Sequence, residues 1–383
     1  MVLDDNAITV TLSGSEVNAI LWMVNQRRIV IGTSDGVWSL SSEGPVYTPT
    51  DIFAVKDVST GAACVGIVQA GNRILYVHRA KEKLIEAGFS WEDDAYKDAN
   101  LSQLARHITS GGLKRIAYQE EPNRVVWAIR NDGVLLAMTY NREEDVVGWS
   151  KCHTDGLFED VAVIPGANGE GQVKSSADRD EVWVIVKRTI DGEVKRYIEV
   201  FERSYNIGHA QEDVYYSDSL ITYSGDVTTI ISGLDHLEGK TVKIWGDGAL
   251  LPDAVVTNGS IELDTPVNVA QVGLPYTHTM KSLKIEYGGQ IGTTLGRPKR
   301  ISALIFFLLN CHTLSYGPSA SELSSIDFRE VSAPMDAGVP FYSGEWAVDF
   351  EAVWETDARI VIESEDPVPF TLLAIGAELN VNE

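Results

Sequence analysis

Cysteine is scarce: Cys64, Cys152 and Cys311 are the only three in 383 residues. They lie too far apart for a metal-binding spacing or a disulfide framework, which suits a reducing compartment or a protein indifferent to oxidation. Basic residues are also few, 31 against 55 acidic ones, for a formal net charge of −24. A surface with that balance repels phosphate, which argues against a sequence-reading nucleic-acid binder and against binding to anionic membranes. No apolar run is long. The longest, residues 301–310, is about half the roughly 20 residues that a membrane helix needs. The first six residues have no basic stretch, and 8–24 carry Ser, Thr, Glu16 and Asn18 where a secretion signal would be apolar. A soluble protein kept inside the cell that makes it is the expectation. Gly-x-Ser-x-Gly elbows, Walker loops and His-Glu-x-x-His motifs are missing as well.

The composition that remains is that of a folded chain, with 44% hydrophobic and 22% charged residues. Thirty-three Gly and 14 Tyr against five Met lean towards β-structure. An internal repeat supports this. A polar pair followed by an apolar strand occurs at Arg27-Arg28, Asn72-Arg73, Asn123-Arg124 and Asp180-Glu181, and the second residues of the pairs are 45, 51 and 57 positions apart. Three of the strands then meet a hairpin signal, Asp35-Gly36, Asp132-Gly133 or Asp191-Gly192. Gly accepts the positive φ of a tight primed turn, and Asp tolerates it. A further apolar strand precedes each pair, at 19–24, 63–69, 114–118 and 160–164. About four short strands per unit match the size of a β-propeller blade, which needs neighbours to bury both of its faces. A β-sandwich with coincidental spacing is the alternative. Within this region, 98–108 has apolar residues at 101, 104, 105 and 108 and ends at Ser110-Gly111-Gly112. That spacing predicts one helix decorating a blade.

The character changes near residue 203. Residues 1–203 hold 22 basic and 30 acidic residues, whereas 204–383 hold nine and 25. Short strands are expected at 228–231, 241–245, 254–257, 260–263 and 270–272, separated by Gly239-Lys240, Asp247-Gly248 and Asn258-Gly259. This spacing suits a small sandwich or barrel. Further strands are expected at 281–287, 301–309, 346–353, 358–363 and 370–381, with a loop-rich stretch at 316–338 that holds one short strand. The fold class is therefore all-β, a β-propeller followed by β-sandwich or barrel modules. The expected domains are blades over 1–203, a small β-barrel over 204–290, and C-terminal strands over 291–383.

Two stretches resemble a known family. The first holds Val147-Gly148-Trp149, Glu159-Asp160-Val161-Ala162-Val163-Ile164-Pro165-Gly166, Asp180-Glu181-Val182-Trp183 and Arg196-Tyr197-Ile198-Glu199. The second holds Ile231-Ser232-Gly233-Leu234-Asp235-His236-Leu237-Glu238-Gly239, Trp245-Gly246-Asp247-Gly248 and Val272-Gly273-Leu274-Pro275-Tyr276. Together they resemble the tail nozzle, or tail tubular protein B, of short-tailed phages. The second stretch is similar to the small β-module named after the FCCH domain of ubiquitin-activating enzyme. The resemblance covers about residues 8–290, and the closing strands also fit. It implies a structural virion protein, located in the tail and assembled in the host cytoplasm. It further implies a homo-hexameric ring with a central channel for genome passage, in contact with tail adaptor and tail fibre proteins. DNA would pass through without sequence-specific binding.

The residues that could carry other chemistry are few. Gly32-Thr33-Ser34-Asp35-Gly36-Val37-Trp38 is similar to part of a sialidase aspartate box, which is a structural turn even in enzymes. Gly166-Ala167-Asn168-Gly169-Glu170-Gly171 precedes no predicted helix and reads as a loop, not a phosphate cradle. Seven His are scattered at 78, 107, 153, 209, 236, 278 and 312, and only Asp235-His236-Leu237-Glu238 sets one close to carboxylates. A polar turn ahead of the next strand explains that cluster. Glu143-Glu144-Asp145 is adjacent in sequence, so its side chains diverge where calcium needs them to converge. Glu92-Asp93-Asp94 reads as a solvated loop, although a glycosidase carboxylate there would find its partner only in the fold. Lys187-Arg188 with Lys195-Arg196, and Arg297-Pro298-Lys299-Arg300, are the two basic spots. Solvated charge, or salt bridges to an acidic neighbouring subunit, is favoured there over a grip on DNA. No catalytic, cofactor-binding or metal-binding residue is assigned, no cofactor is expected, and the protein is not expected to be an enzyme. The competing functions are a non-catalytic carbohydrate- or protein-binding propeller and, behind it, a propeller glycosidase.

Overall fold

The computed structural model describes residues 6–14, 18–44, 46–166, 179–206, 208–289, 292–329 and 338–382. These residues form seven antiparallel sheets of three or four strands and one two-strand ribbon. No helix among them is long and apolar enough to cross a membrane. The chain divides into two compact units, Met1–Arg188 with Lys195–Phe201, and Thr189–Val194 with Glu202–Glu383.

In the first unit each sheet takes its strands in chain order. Sheet one is β1 (Ile20–Asn25), β2 (Ile29–Thr33), β3 (Val37–Ser41) and β4 (Phe53–Val58). Sheet two is β5 (Ala62–Ala70), β6 (Arg73–His78), β7 (Leu84–Ser90) and β8 (Ala95–Asn100). The short helix α1 (Arg106–Thr109) follows. Sheet three is β9 (Leu113–Gln119), β10 (Val125–Arg130), β11 (Leu135–Asn141) and β12 (Val146–Cys152), and sheet four is β13 (Leu157–Ile164), β14 (Glu181–Ile190) and β15 (Glu193–Val200). Each repeated polar pair thus marks the second strand of a sheet.

Strand periodicity explains how these sheets stack, because alternate side chains face opposite sides. Ile74 and Tyr76 of β6 pack towards Val30 and Val37 of sheet one. Leu75 and Val77 pack towards Val126 and Ala128 of sheet three. On β10 the intervening Trp127 and Ile129 meet Val182, Val184 and Val186 of sheet four. Each inner sheet therefore buries apolar residues on both faces. The first strands lie side by side, β5 against β1 and β9, and β9 against β13. Beyond sheet one, Ile31, Trp38 and Leu40 are covered by Val10, Leu12, Tyr47 and Ile52. On sheet four Leu157, Ile164 and Ile198 stay exposed.

The hairpins close in two ways. At Asp191-Gly192 both residues have positive φ, 50° and 75°, as a tight primed turn requires. Gly36 does not adopt positive φ. It is glycine because a Cβ there would come within 2.2 Å of the Val58 carbonyl oxygen. The helix expected over 98–108 is a misreading. Residues 98–100 belong to β8, where Asp98, Ala99 and Asn100 pair with Ala87, Glu86 and Ile85. The Asn100 side chain then accepts the Ser102 N–H at 3.0 Å and turns the chain. Leu104, which the helical spacing placed on a buried face, is 95% exposed. Only α1 survives as helix.

The second unit pairs strands from distant parts of the chain. Its first sheet has β16 (Asp218–Ser232), β17 (Thr241–Gly246), β18 (Ala249–Val255) and β19 (Ser260–Leu274) in the order β16-β19-β17-β18. The strands expected at 260–263 and 270–272 are both parts of β19. Next come β20 (His278–Lys281), the ribbon β21 (Gly288–Gly289) and β22 (Gly292–Thr293), and β23 (Lys299–Cys311). They are followed by β24 (Thr313–Ser319), β25 (Glu322–Asp327), β26 (Tyr342–Asp349), β27 (Val361–Ser364) and β28 (Thr371–Val381). These make the sheets β20-β27-β24-β25 and β26-β23-β28. Residues 282–287, expected as strand, run beside 358–360 instead, with the Ser282 and Ile285 N–H groups donating to Ile360 and Ala358 carbonyls. Trp245 is fully buried with Val214 and Val368 and stacks on Phe341 at 5.8 Å. Cys64 is exposed on β5, whereas Cys311 is fully buried at the end of β23.

Candidate functional site

The candidate residues of the sequence are occupied by structural work. In the aspartate-box fragment, Thr33 Oγ1 accepts the Asp35 and Gly36 N–H groups at 3.3 and 3.2 Å, and Lys56 pairs with Asp35. This is a hairpin turn. Asp235–Leu237 is one turn of 3-10 helix, in which a His236 ring nitrogen meets the Ser219 carbonyl. The Glu238 carboxylate accepts the Asn258 and Gly259 N–H groups at 3.0 and 2.7 Å, clasping the turn between β18 and β19. Glu143 pairs with Arg124 and Asp145 with Arg142. No group of three potential metal ligands converges among the described residues. His312 packs edge-on against Trp245 as a core histidine, and burial pushes its pKa down. Of the glycine-rich run, residues 167–171 lie outside the described residues.

One cation of each basic spot turns inward, whereas Lys195, Arg196 and Arg300 stay exposed. Arg188 is 1% exposed and grips Glu199 through two bonds of 3.0 and 2.8 Å, while its third nitrogen donates to Thr154 Oγ1 and the Asp155 carbonyl. Arg196 pairs with Glu159 at 2.6 Å. Lys299 is completely buried, with its ammonium on Glu286 at 2.8 Å and the Thr294 carbonyl at 3.3 Å. That bond holds the Glu286 carboxyl below its ordinary pKa. Solvated hairpin charge was therefore the wrong expectation for Arg188 and Lys299. An unshielded cation cannot be taken out of water without partners, and these partners lie in the same chain.

A further buried charge separates sheets two and three. Glu86 on β7 is 2% exposed and lies between Arg73, at 3.4 Å, and Arg142, at 2.9 Å. Position 86 falls in an otherwise apolar strand, so this anion is fixed by the two arginines that flank it.

One cleft, of about 470 Å³, opens where three hairpins of sheets one and two end side by side. Asn25, Gln26 and Arg27 come from the end of β1 and the β1–β2 turn, Gln69, Gly71 and Asn72 from the end of β5 and the β5–β6 turn, and Phe89, Trp91 and Tyr96 from around the β7–β8 turn. The Arg27 guanidinium stacks over Trp91 at 3.7 Å and reaches Phe89 at 5.0 Å. Phe89 stands edge-on to both Trp91 and Tyr96 at 5.5 Å. The neighbouring Arg28 is neutralised by a two-pronged bond to Asp94, at 2.7 and 2.8 Å. Asp93 is taken up by Lys97 and by Ser90 at 2.6 Å. Asp93 and Asp94 of the acidic run thus support the cleft's rim. Among the described residues none that lines the cleft is a carboxylate, and the lining presents rings, amides and one guanidinium to a ligand.

No protein-family model matches the chain, and no curated protein is significantly similar to it. The cleft's residues escaped the sequence reading because they come from three separate turns. The signal available was Phe89-Ser90-Trp91, two aromatics at strand period running out of β7 into a turn.

Proposed function

We propose that the protein is a structural component of a short-tailed virus particle, a tail nozzle subunit that assembles into a homo-hexameric ring around a channel for DNA. In this reading the four sheets of the first unit are propeller blades, and β16–β19 form the FCCH-like module. The observation that supports it is the stacking of consecutive meander sheets with their first strands, β1, β5, β9 and β13, side by side. Propeller blades stack in this way. Closed symmetry would then convert one repeated contact into a ring. The net charge of −24 supports free passage of DNA, because carboxylates repel phosphate where a basic lining would hold it. The buried cations add to this, since Arg188 and Lys299 are spent inside the subunit. The test is mass in solution by light scattering, with negative-stain images of the same sample. Rings with a central hole are expected, alone or after addition of the tail adaptor; a monomer under both conditions would overturn the reading.

A further inference from the structure

We propose that the cleft between the first two sheets binds a saccharide that carries a carboxylate. The inference does not depend on ring assembly or on a viral role.

Three features of the cleft converge. Trp91 is 73% exposed, although it is a large ring attached to a well-packed sheet. Arg27 and Phe89 fix its orientation from below, which leaves a rigid apolar surface presented to solvent. The C–H faces of a pyranose ring pack on such a surface, and little side-chain freedom remains to be lost on binding. Around it stand the amides of Asn25, Gln26, Gln69 and Asn72. An amide offers a donor and an acceptor side by side, as neighbouring sugar hydroxyls do. The Gln69 amide is already aligned, with Nε2 donating to the Asn25 carbonyl at 3.1 Å. Gln26 Nε2 is buried and has no hydrogen-bond partner. A buried donor without a partner is destabilising, and rotation of the Gln26 amide into the cleft would let a ligand hydroxyl satisfy it.

The third feature sets the charge. Arg28 and Lys97 each have an acid, but Arg27 has no ion pair among the described residues and is the one charged residue lining the cleft. Stacking occupies the face of its guanidinium and leaves the in-plane N–H groups, whose geometry fits a carboxylate with two parallel bonds. Of the acids on the rim, Asp94 is paired with Arg28 and Asp93 with Lys97, and screening at physiological salt confines the repulsion of more distant acids to about 8 Å, which leaves Arg27 to set the charge inside the cleft. A polyanion such as nucleic acid would meet the overall charge of −24 along its whole length. A single sugar carboxylate would not.

The experiment is titration of the full-length protein with an oligogalacturonate and with a neutral hexose oligosaccharide of equal length, followed by calorimetry and tryptophan fluorescence. The uronate should bind more tightly and alter the fluorescence. Trp91→Ala should weaken it about tenfold or more, Trp91→Phe should retain most of it, and Arg27→Gln should bring the two sugars to equal affinity. Circular dichroism should stay unchanged, because both side chains are exposed. Absence of binding at millimolar sugar would overturn the proposal. So would binding that survives both substitutions, or equal binding of an acidic peptide or a nucleoside monophosphate.

Discussion

The two units solve the same problem, burying the faces of antiparallel sheets, in opposite ways. In the first, every sheet is a run of neighbouring hairpins, and cohesion comes from apolar residues that alternate between the sheet before and the sheet after. In the second, β20 pairs with β27, so that His278 lies opposite Ser364, and β23 is flanked by β26 and β28. There the core is closed by residues far apart in the chain, as Trp245 and Phe341 illustrate. Local pairing needs little loop closure and can form sheet by sheet, whereas distant pairing must order long segments before any contact rewards it. The first unit should therefore tolerate damage locally, and the second should fail as a whole.

The sharpest test of that contrast is Trp245→Ala. It removes the largest fully buried side chain of the second unit and the bond from its Nε1 to the Gln211 carbonyl, 2.8 Å long. The expected loss is about 3–5 kcal/mol, read in urea as the collapse of one unfolding transition while the other keeps its midpoint. Equal loss in both transitions would break the comparison. A smaller effect is expected in the first unit from Glu86→Ala, which leaves Arg73 and Arg142 facing each other without their anion. Because both arginines keep access to water, the cost should be about 2 kcal/mol. Glu86→Gln should cost less, and differential scanning calorimetry would rank them. The smallest effect is a dependence on pH. The folded pKa of Glu286 is depressed by Lys299, so its contribution is present above the unfolded value and lost as pH falls through the folded one. The second unit should weaken below about pH 4. The part of that decline due to this pair should vanish in Glu286→Gln, leaving a flatter acid limb in a plot of melting temperature against pH.

What the sequence disclosed follows the same division. The polar pairs at Arg27-Arg28, Asn72-Arg73, Asn123-Arg124 and Asp180-Glu181 sit at turns and mark the second strands, because a turn and its strand are local facts. The first strands of all four sheets were legible for the same reason. The spacing at 98–108 misled because Asp98-Ala99-Asn100 finishes a sheet, and a pairing with β7 outweighs a helical period. Arg188 and Lys299 were legible as charges but not as buried ones. Their partners Glu199 and Glu286 lie 11 and 13 residues away, across a hairpin and a ribbon whose register the sequence does not state. The aromatic cleft stayed hidden because no single turn contains it.

Two of the three cysteines, uninformative as chemistry, give the molecule a clock. Cys64 lies open on β5 in the first unit and should react with a thiol reagent at once. Cys311 in the second is fully buried, its Sγ 3.6 Å from the Leu309 and Thr371 carbonyls, and burial raises its pKa. Its modification must wait until β23 and β28 part. The lag between the two reactions would report how often the second unit breathes in native buffer, without denaturant and without an introduced label.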